Sequence, residues 1–511
     1  MNELKRSPVL IANRGEIAIR IARTCKVLGF PTVAVYSDAD RFSEHVRACD
    51  RAVWIGGSAP KESYLDVDKI LRAARETGAK FVHPGYGFLS ERPHFVEACE
   101  KAGLIFVGPT AESMKLMGDK IQARATVSAL KVPGVPGSPG VVRDGAEAKK
   151  TAKQIGYPIL LKAAAGGGGK GMRRVDSDVE IAIAFEGASR EALGAFGDGS
   201  MYVEKLILEP HHVEIQVFGD GQGRGVHLGE RECSIQRRHQ KVWEESPSPL
   251  LDRFPKTREA MFAAAIKIVE QTKYRGAGTL EFIVDESGDF YFLEMNTRLQ
   301  VEHPVTEWVT GVDLVAWQLQ LACGEFKLPA TPARRGSAIE VRLYAEDPQS
   351  FLPAPGPLSK IEMPSGPFVR FDSAFIEEGE VSLYYDPMIS KISVWGNNRS
   401  EALGRIRVAL DETRVEPPKT MDGNKKGSLK TNLSFLRRLV RNSAVTSGDT
   451  ATDLIVKNPD LTTPDSDQPT LEAAIALSLM QLLTQSNING LGGKQGTSDW
   501  AQVSRREGLR G

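Results

Sequence analysis

Between Gly278 and His303 the chain reads GTLEFIVDESGDFYFLEMNTRLQVEH, and three of its six carboxylates, Glu281, Glu294 and Glu302, lie with two amides and a guanidinium at spacings that can act together. Two alternating runs flank ESGD, the pattern of a β-hairpin. A two-residue turn at Ser287–Gly288 sets Glu281 directly opposite Glu294. Like charges at opposed positions repel, so either one carboxyl keeps a proton or something positive sits between them. A divalent ion fits best. With Asn296 the two carboxylates form the oxygen-rich shell that Mg²⁺ (or Mn²⁺) uses while bridging nucleotide phosphates. The alternative is a solvent-facing strand edge, which a register slip of one residue would produce. Past the hairpin, Glu294, Asn296, Arg298, Gln300 and Glu302 share one parity, and period two keeps them on one face until the strand ends. Arg298 can hold an oxyanion in its fork, and Glu302 can take a proton if burial raises its pKa.

A second chemical feature is LLKAAAGGGGKGM, Leu160 to Met172. Lys170 is followed by Gly171 and not by Ser or Thr, so this is not a Walker A loop. Bare amides at Gly166 to Gly169 can still close on phosphate oxygens, with Lys162 and Lys170 supplying positive charge. A flexible hairpin tip explains four glycines equally well when the run is taken alone. The acidic pair decides for the phosphate reading, because a phosphate loop gives the metal something to bridge.

These groups need a scaffold, and the chain is long enough for about three domains. Of its 511 residues 41% are hydrophobic and 25% charged, and 65 Lys+Arg balance 65 Asp+Glu. No net field favours nucleic acid or an anionic membrane. No apolar window approaches the roughly 20 residues of a membrane span. Five scattered cysteines without a C-x-x-C pair fit a reducing, cytoplasmic setting, and nothing beside Cys233 gives it a catalytic task. Residues 1–117 alternate apolar runs with helical patterns, the order of a parallel sheet with helices on both faces. IANRGEIAIRIA lacks G-x-G-x-x-G and reads as scaffold, and HPGYGFLSE, His83 to Glu91, reads as a tight loop. A Pro/Gly run, KVPGVPGSPGVV, marks a boundary near residue 132. The organisation expected is 1–117, a helical connector 118–134, a small segment 135–205, a larger one 206–448, and a polar tail 449–511 that is mobile or docks a partner.

GGGGKGM, HHVEIQV, SIQRRHQKVWEE, EMNTRLQVEHPVTE, AEDP and YYDPMISK occur in this order. Together they resemble biotin carboxylase, the ATP-grasp component of biotin-dependent carboxylases, over residues 7–445. The resemblance implies an α/β chain with a Rossmann-like N-terminal domain, then an ATP-grasp fold with a mobile lid subdomain carrying the glycine loop. By resemblance Lys120 and Lys162 meet ATP phosphates, Gly167, Gly168 and Gly169 close over them, and Glu204, Lys205 and Ile207 form the adenine hinge. His212, Gln236 and His239 resemble ribose and phosphate contacts, and Glu281, Glu294 and Asn296 the metal ligands. Lys241, Arg298, Gln300 and the Val301 backbone resemble the bicarbonate site, Glu302 the base that deprotonates bicarbonate, and Arg342 the group that stabilises the biotin enolate. Taken singly, Arg342 is equally suited to an ion pair with Glu340 or Glu346.

Ala165 stands where the family usually has a first glycine, and VEPPKTMDGNKKGSLKTNLSFL contains an insertion relative to most members. No Met-Lys-Met biotinylation site occurs; SMKLM at 113–117 differs after Lys115. Biotin is therefore expected on a separate biotin carboxyl carrier protein, the carboxyltransferase on another chain, and the enzyme as a homodimer serving acetyl-CoA or another acyl-CoA. Two other readings are an ATP-grasp ligase making a different acyl- or carbamoyl-phosphate, and a catalytically silent regulatory homologue.

Overall fold

The structure is a computed structural model that describes residues 6–164, 172–237, 240–375, 378–418, 429–463 and 478–480, without the side chains of Lys120, Ile121 and Phe196. Met1–Thr462 form one compact unit and Thr463–Gly511 a second.

The chain opens with five parallel strands in the spatial order Arg51–Gly56, Thr32–Ser37, Val9–Ile11, Phe81–His83 and Ile105–Phe106. The central strands read as unbroken apolar or β-branched runs because both of their faces are covered. Val9, Ile11 and Phe81 join one core, whereas Leu10, Val33 and Val82 join the core on the other face. Strand order reverses between Val9–Ile11 and Phe81–His83, so the loops after these two strands leave the sheet together, where open α/β sheets form a crevice. Asn13 ties them, its Nδ2 donating to the carbonyls of Pro84 and Tyr86, each at 2.7 Å.

A three-stranded antiparallel sheet follows, Met172–Val175, Ile159–Ala163 and Met201–Lys205. Helices Gly145–Ile155 and Ile181–Phe196 cover one face, packing Ala148, Ala152, Ala184 and Ala188 on Ile159, Leu161 and Val203. Alternation sends Lys162 and Glu204 to the other face.

The largest sheet has eight strands, all pairs antiparallel: Phe290–Asn296, Arg275–Val284, His211–Asp220, Gly225–Glu232, Trp243–Ser246, Ser337–Tyr344, Met388–Gly396 and Val369–Ser373. In His211–Asp220, Val213, Ile215 and Val217 face a core built with helix Pro255–Gln271. The opposite parity, His212, Glu214 and Gln216, is polar yet also buried, which requires partners on that side.

The boundary expected at 448 lies short of the folded unit. Leu454 and Leu461 are buried in the core under Ser337–Tyr344, and Thr452 N–H donates to Pro210 O at 3.1 Å. One short apolar run, Leu454 to Val456, and an isolated Leu461 among polar residues were too sparse a pattern to mark this segment as core. Among the described residues no helix is long and apolar enough to cross a membrane.

Candidate active site

The hairpin brings the acidic pair together by a route the spacing did not reveal. Gly288 sits at φ 84°, its N–H donating to Asp285 O at 3.0 Å, while Asp285 N–H bonds Asp289 O at 2.9 Å. The loop is therefore Glu286-Ser287-Gly288, one residue longer than expected. A bulge between Glu281 and Phe282 absorbs the extra residue, and Glu281 still pairs with Glu294. Both line a cavity of about 700 Å³.

Glu281 is buried and its oxygens are engaged. Oε1 accepts from Asn296 Nδ2 at 2.8 Å, Gln300 Nε2 at 3.1 Å and Lys241 Nζ at 3.1 Å; Oε2 lies 3.1 Å from His212 Nε2. Burial pulls this carboxyl upward, but Lys241 and His212 overcome it and hold it far below the usual carboxylate range. Lys241 thus supplies part of the positive charge that opposed carboxylates require. The ionised Glu281, with Glu294 and Asn296 beside it on the cavity wall, is a hard-oxygen donor set that fits Mg²⁺ or Mn²⁺.

The strand ends at Asn296, so the alternation predicted through Glu302 stops there. Residues 297–302 form a loop that the N-terminal domain shapes: Glu91 accepts from Thr297 N–H at 3.0 Å and from Arg298 Nε at 2.9 Å. Arg298 also donates to Gln300 Oε1 at 2.6 Å and Asn296 Oδ1 at 2.9 Å, which spreads its fork across the cavity wall. Glu302 occupies the N-cap position of helix His303–Thr310. Its Oε1 accepts from Lys241 Nζ at 2.8 Å and its Oε2 from Arg342 at 3.0 Å.

Glu302 corrects the expectation of a raised pKa. Only 1% of it is exposed, and burial does push it up. Lys241, Arg342 and Arg231 pull harder and hold it well below the usual range. Arg342 pairs with Glu302 and, through Nε at 2.6 Å, with Glu244, and not with Glu340 or Glu346. Glu346 instead pairs with Arg237. Burial, against Arg342, pushes Glu244 up to about 7.

Family models match nearly the whole compact unit: biotin carboxylase N-terminal domain at residues 5–114, carbamoyl-phosphate synthase L chain ATP-binding domain at 119–330, and biotin carboxylase C-terminal domain at 340–457. Biotin carboxylase 2 of Bacillus subtilis is 47% identical over 449 residues, covering 88% of this chain and 98% of that one. The chain belongs to the biotin carboxylase family. It is accordingly an ATP-dependent ligase. The propionyl-CoA carboxylase alpha chain of Ruegeria pomeroyi is 46% identical, covering 88% of this chain and 67% of that one. The Campylobacter jejuni biotin carboxylase–β,γ-ATP complex superposes with TM-score 0.83 at 44% identity, covering 89% of this chain and 100% of that one. The biotin carboxylase domain dimer of Hydrogenobacter thermophilus 2-oxoglutarate carboxylase, complexed with MgADP, ADP and bicarbonate, gives 0.83 at 42% identity over 90% of this chain and 99% of that one.

In this biotin carboxylase the large cavity gathers His212, Gln236, Lys241, Glu281, Glu294, Asn296, Arg298, Gln300, Val301, Glu302 and Arg342. Gln236 Nε2 meets His212 Nδ1 at 3.0 Å and Cys233 O at 2.9 Å, which fixes the His212 ring. Asn13, Gly15, Tyr86 and Phe88 line it too, so the N-terminal segment read as scaffold and the one read as a tight loop both border the site. A second cavity of about 270 Å³ holds Lys162 and Glu204, and Glu294 and Asn296 line both cavities. Lys162 Nζ lies 2.5 Å from Glu204 Oε2, and Arg124 lies 2.5 Å from Oε1. Burial raises Glu204, but these two cations lower it further, so it stays ionised. Lys205 and Ile207 line neither cavity; Lys205 Nζ donates to Tyr157 O at 2.7 Å and Gly156 O at 3.2 Å at a helix end. Lys120 begins helix Lys120–Ala129, its side chain lying outside the described set, as do Gly167, Gly168, Gly169 and His239 altogether.

Sequence reasoning missed Glu91, Glu214, Arg231 and Glu244. Glu214, fully buried, accepts from Arg231 Nε at 2.5 Å and Lys241 Nζ at 2.6 Å. The parity of HHVEIQV already placed it beside His212. Glu91 gave no such signal, being 207 residues from Arg298.

Proposed function

We propose that this biotin carboxylase forms carboxyphosphate from ATP and bicarbonate and carboxylates biotin held on a separate carrier protein, the first half-reaction of an acetyl-CoA or other acyl-CoA carboxylase. The observation that carries the residue roles is the position of Glu302 between Lys241 and Arg342, in the cavity that also holds the Glu281–Glu294 pair and the Arg298 fork. A divalent ion held by Glu281, Glu294 and Asn296 would neutralise charge on the nucleotide phosphates.

Bicarbonate is anionic, and Lys241, Arg298, Gln300 and the Val301 amide offer it donors. Glu302, ionised across the working pH range, takes its proton, and the resulting carbonate oxygen attacks the γ-phosphorus as ADP leaves. Protonation removes the charge by which Glu302 holds Lys241 and Arg342. Both cations are then released toward the oxyanions that develop next. Carboxyphosphate breaks down to CO₂ and phosphate, phosphate accepts the N1′ proton of biotin, and Arg342 stabilises the enolate that attacks CO₂. Lys162 and Glu204, with Lys120, Lys205, Ile207, His212, Gln236 and His239, are assigned to ATP, and Gly167, Gly168 and Gly169 to closure over its phosphates.

No Met-Lys-Met occurs within the 511 residues, which supports a biotin carried outside them. A homodimer is supported by the dimeric Hydrogenobacter domain, and a separate carboxyltransferase by the alpha-chain relatives. We place the enzyme in the cytoplasm, where cysteine thiols stay reduced. ATP hydrolysis with Mg²⁺ and bicarbonate, with and without free biotin, tests the proposal. Bicarbonate-dependent turnover stimulated by biotin is expected. Turnover indifferent to biotin points to another carboxy- or acyl-phosphate ligase, and no turnover to a silent homologue; either overturns it.

A further inference from the structure

The loop that carries Gln300, Val301 and Glu302 is gripped from behind by two side chains that do not line the cavity. His303 and Lys391 are both fully buried. His303 Nδ1 lies 2.8 Å from the carbonyl of Gln300, and Lys391 Nζ donates to the carbonyl of Val301 at 2.7 Å. The Lys391 charge is balanced by Glu16, 3.3 Å away, which in turn accepts from the Tyr86 hydroxyl. Lys391 is also the cross-strand partner of Arg342. One strand pair therefore delivers two cations to adjacent parts of the loop, Arg342 to the Glu302 carboxylate and Lys391 to the carbonyl just before it.

Both loop peptides are trans, so each carbonyl points opposite to the N–H of the following residue. Pinning the Gln300 carbonyl on the buried side turns the Val301 N–H toward the cavity, and pinning the Val301 carbonyl does the same for Glu302 N–H. Among the described residues neither amide meets a protein acceptor. They stand at the start of helix His303–Thr310, where unpaired amides and the helix dipole favour an anion.

We infer that His303 and Lys391 are positioning residues for bicarbonate: they hold the Gln300 and Val301 carbonyls and so aim the Val301 and Glu302 amides at the anion. The inference rests on the bicarbonate assignment made above. His303 acts as a neutral ring, since burial, with Lys391, Arg20 and Arg370 nearby, keeps it unprotonated. With a carbonyl as its partner, the single ring proton sits on Nδ1.

The test is steady-state kinetics of bicarbonate-dependent ATP turnover on the full chain, with ATP affinity and thermal unfolding measured alongside. His303→Asn keeps an N–H near the Nδ1 position; His303→Leu deletes it. The Leu variant is expected to raise the bicarbonate KM roughly ten- to hundredfold while the ATP KM stays put, as for loss of a hydrogen bond to a charged group. The Asn variant should recover most of that loss. Lys391→Met should resemble His303→Leu, with partial recovery in Lys391→Arg. Should Lys391→Met fail to fold, the His303 pair decides alone. An unchanged bicarbonate KM in His303→Leu, or a parallel rise in both KM values, overturns the inference. Arg298→Lys then separates the levels: if it raises the bicarbonate KM, only the positioning idea has failed, and if it does not, the bicarbonate assignment has failed too.

Discussion

Replacing Glu302 by Gln probes the centre of the site with the smallest change of shape. The carboxylate is 1% exposed and receives Lys241 at 2.8 Å and Arg342 at 3.0 Å. Gln keeps one acceptor oxygen but turns an amide donor toward a cation, and it cannot take a proton. Stranding a buried cation costs about 3–5 kcal/mol. Here the loss falls at the lower end, because Lys241 retains Glu214 and Glu281, and Arg342 retains Glu244. The variant is therefore expected to fold. Loss of a positioned base lowers turnover by roughly 10²–10⁴. Lys162 and Glu204 in the second cavity are untouched, so ATP affinity should stay within about threefold, a difference under 1 kcal/mol. The assay pairs bicarbonate-dependent ADP release with calorimetric ATP binding. Retention of turnover, or a large loss of ATP affinity with turnover per bound nucleotide preserved, refutes the role given to Glu302.

Glu244, pushed up to about 7 by burial against Arg342, titrates within the assay range. The kcat profile should bend near that pH and lose the bend in Glu244→Gln; a bend that persists contradicts the assignment. Because its folded pKa is raised, the unfolded chain loses this proton first, so Glu244 costs stability as pH rises from about 4.3 toward 7. The Gln variant should flatten that part of the stability curve measured by denaturant titration. Asp40 behaves oppositely. Burial raises it, but Arg14 at 2.6 Å lowers it to about 2, so its contribution is present above about 3.9 and is lost as pH falls toward the folded value. The shift corresponds to about 2–3 kcal/mol, and acid unfolding followed by circular dichroism should begin at higher pH in Asp40→Asn, whose unshifted midpoint would count against the pair. Glu294→Gln should raise the Mg²⁺ concentration for half-maximal ATP turnover by roughly tenfold or more; a wild-type Mg²⁺ titration would remove Glu294 from the metal shell.

Local pattern carried a good deal of this protein. The apolar runs of the first domain announced a parallel sheet, since strands covered on both faces cannot alternate. Period two brought Glu281 opposite Glu294, although the turn was misjudged and a bulge cancelled the error. The order of long motifs pointed to the family. What remained hidden depends on parts of the chain that meet only after folding. Glu91 reaches Arg298 across 207 residues, and Lys391 reaches Val301 across 90. The protonation of Glu302 is the clearest case. Burial alone argued for a raised pKa, and that argument was sound as far as it went. Its sign was reversed by Lys241, Arg342 and Arg231, delivered by three separate segments. Backbone periodicity is a property of neighbours along the chain and can be read from a sequence, whereas a buried carboxylate responds to the summed field of every charge around it, and only the assembled fold decides which charges those are.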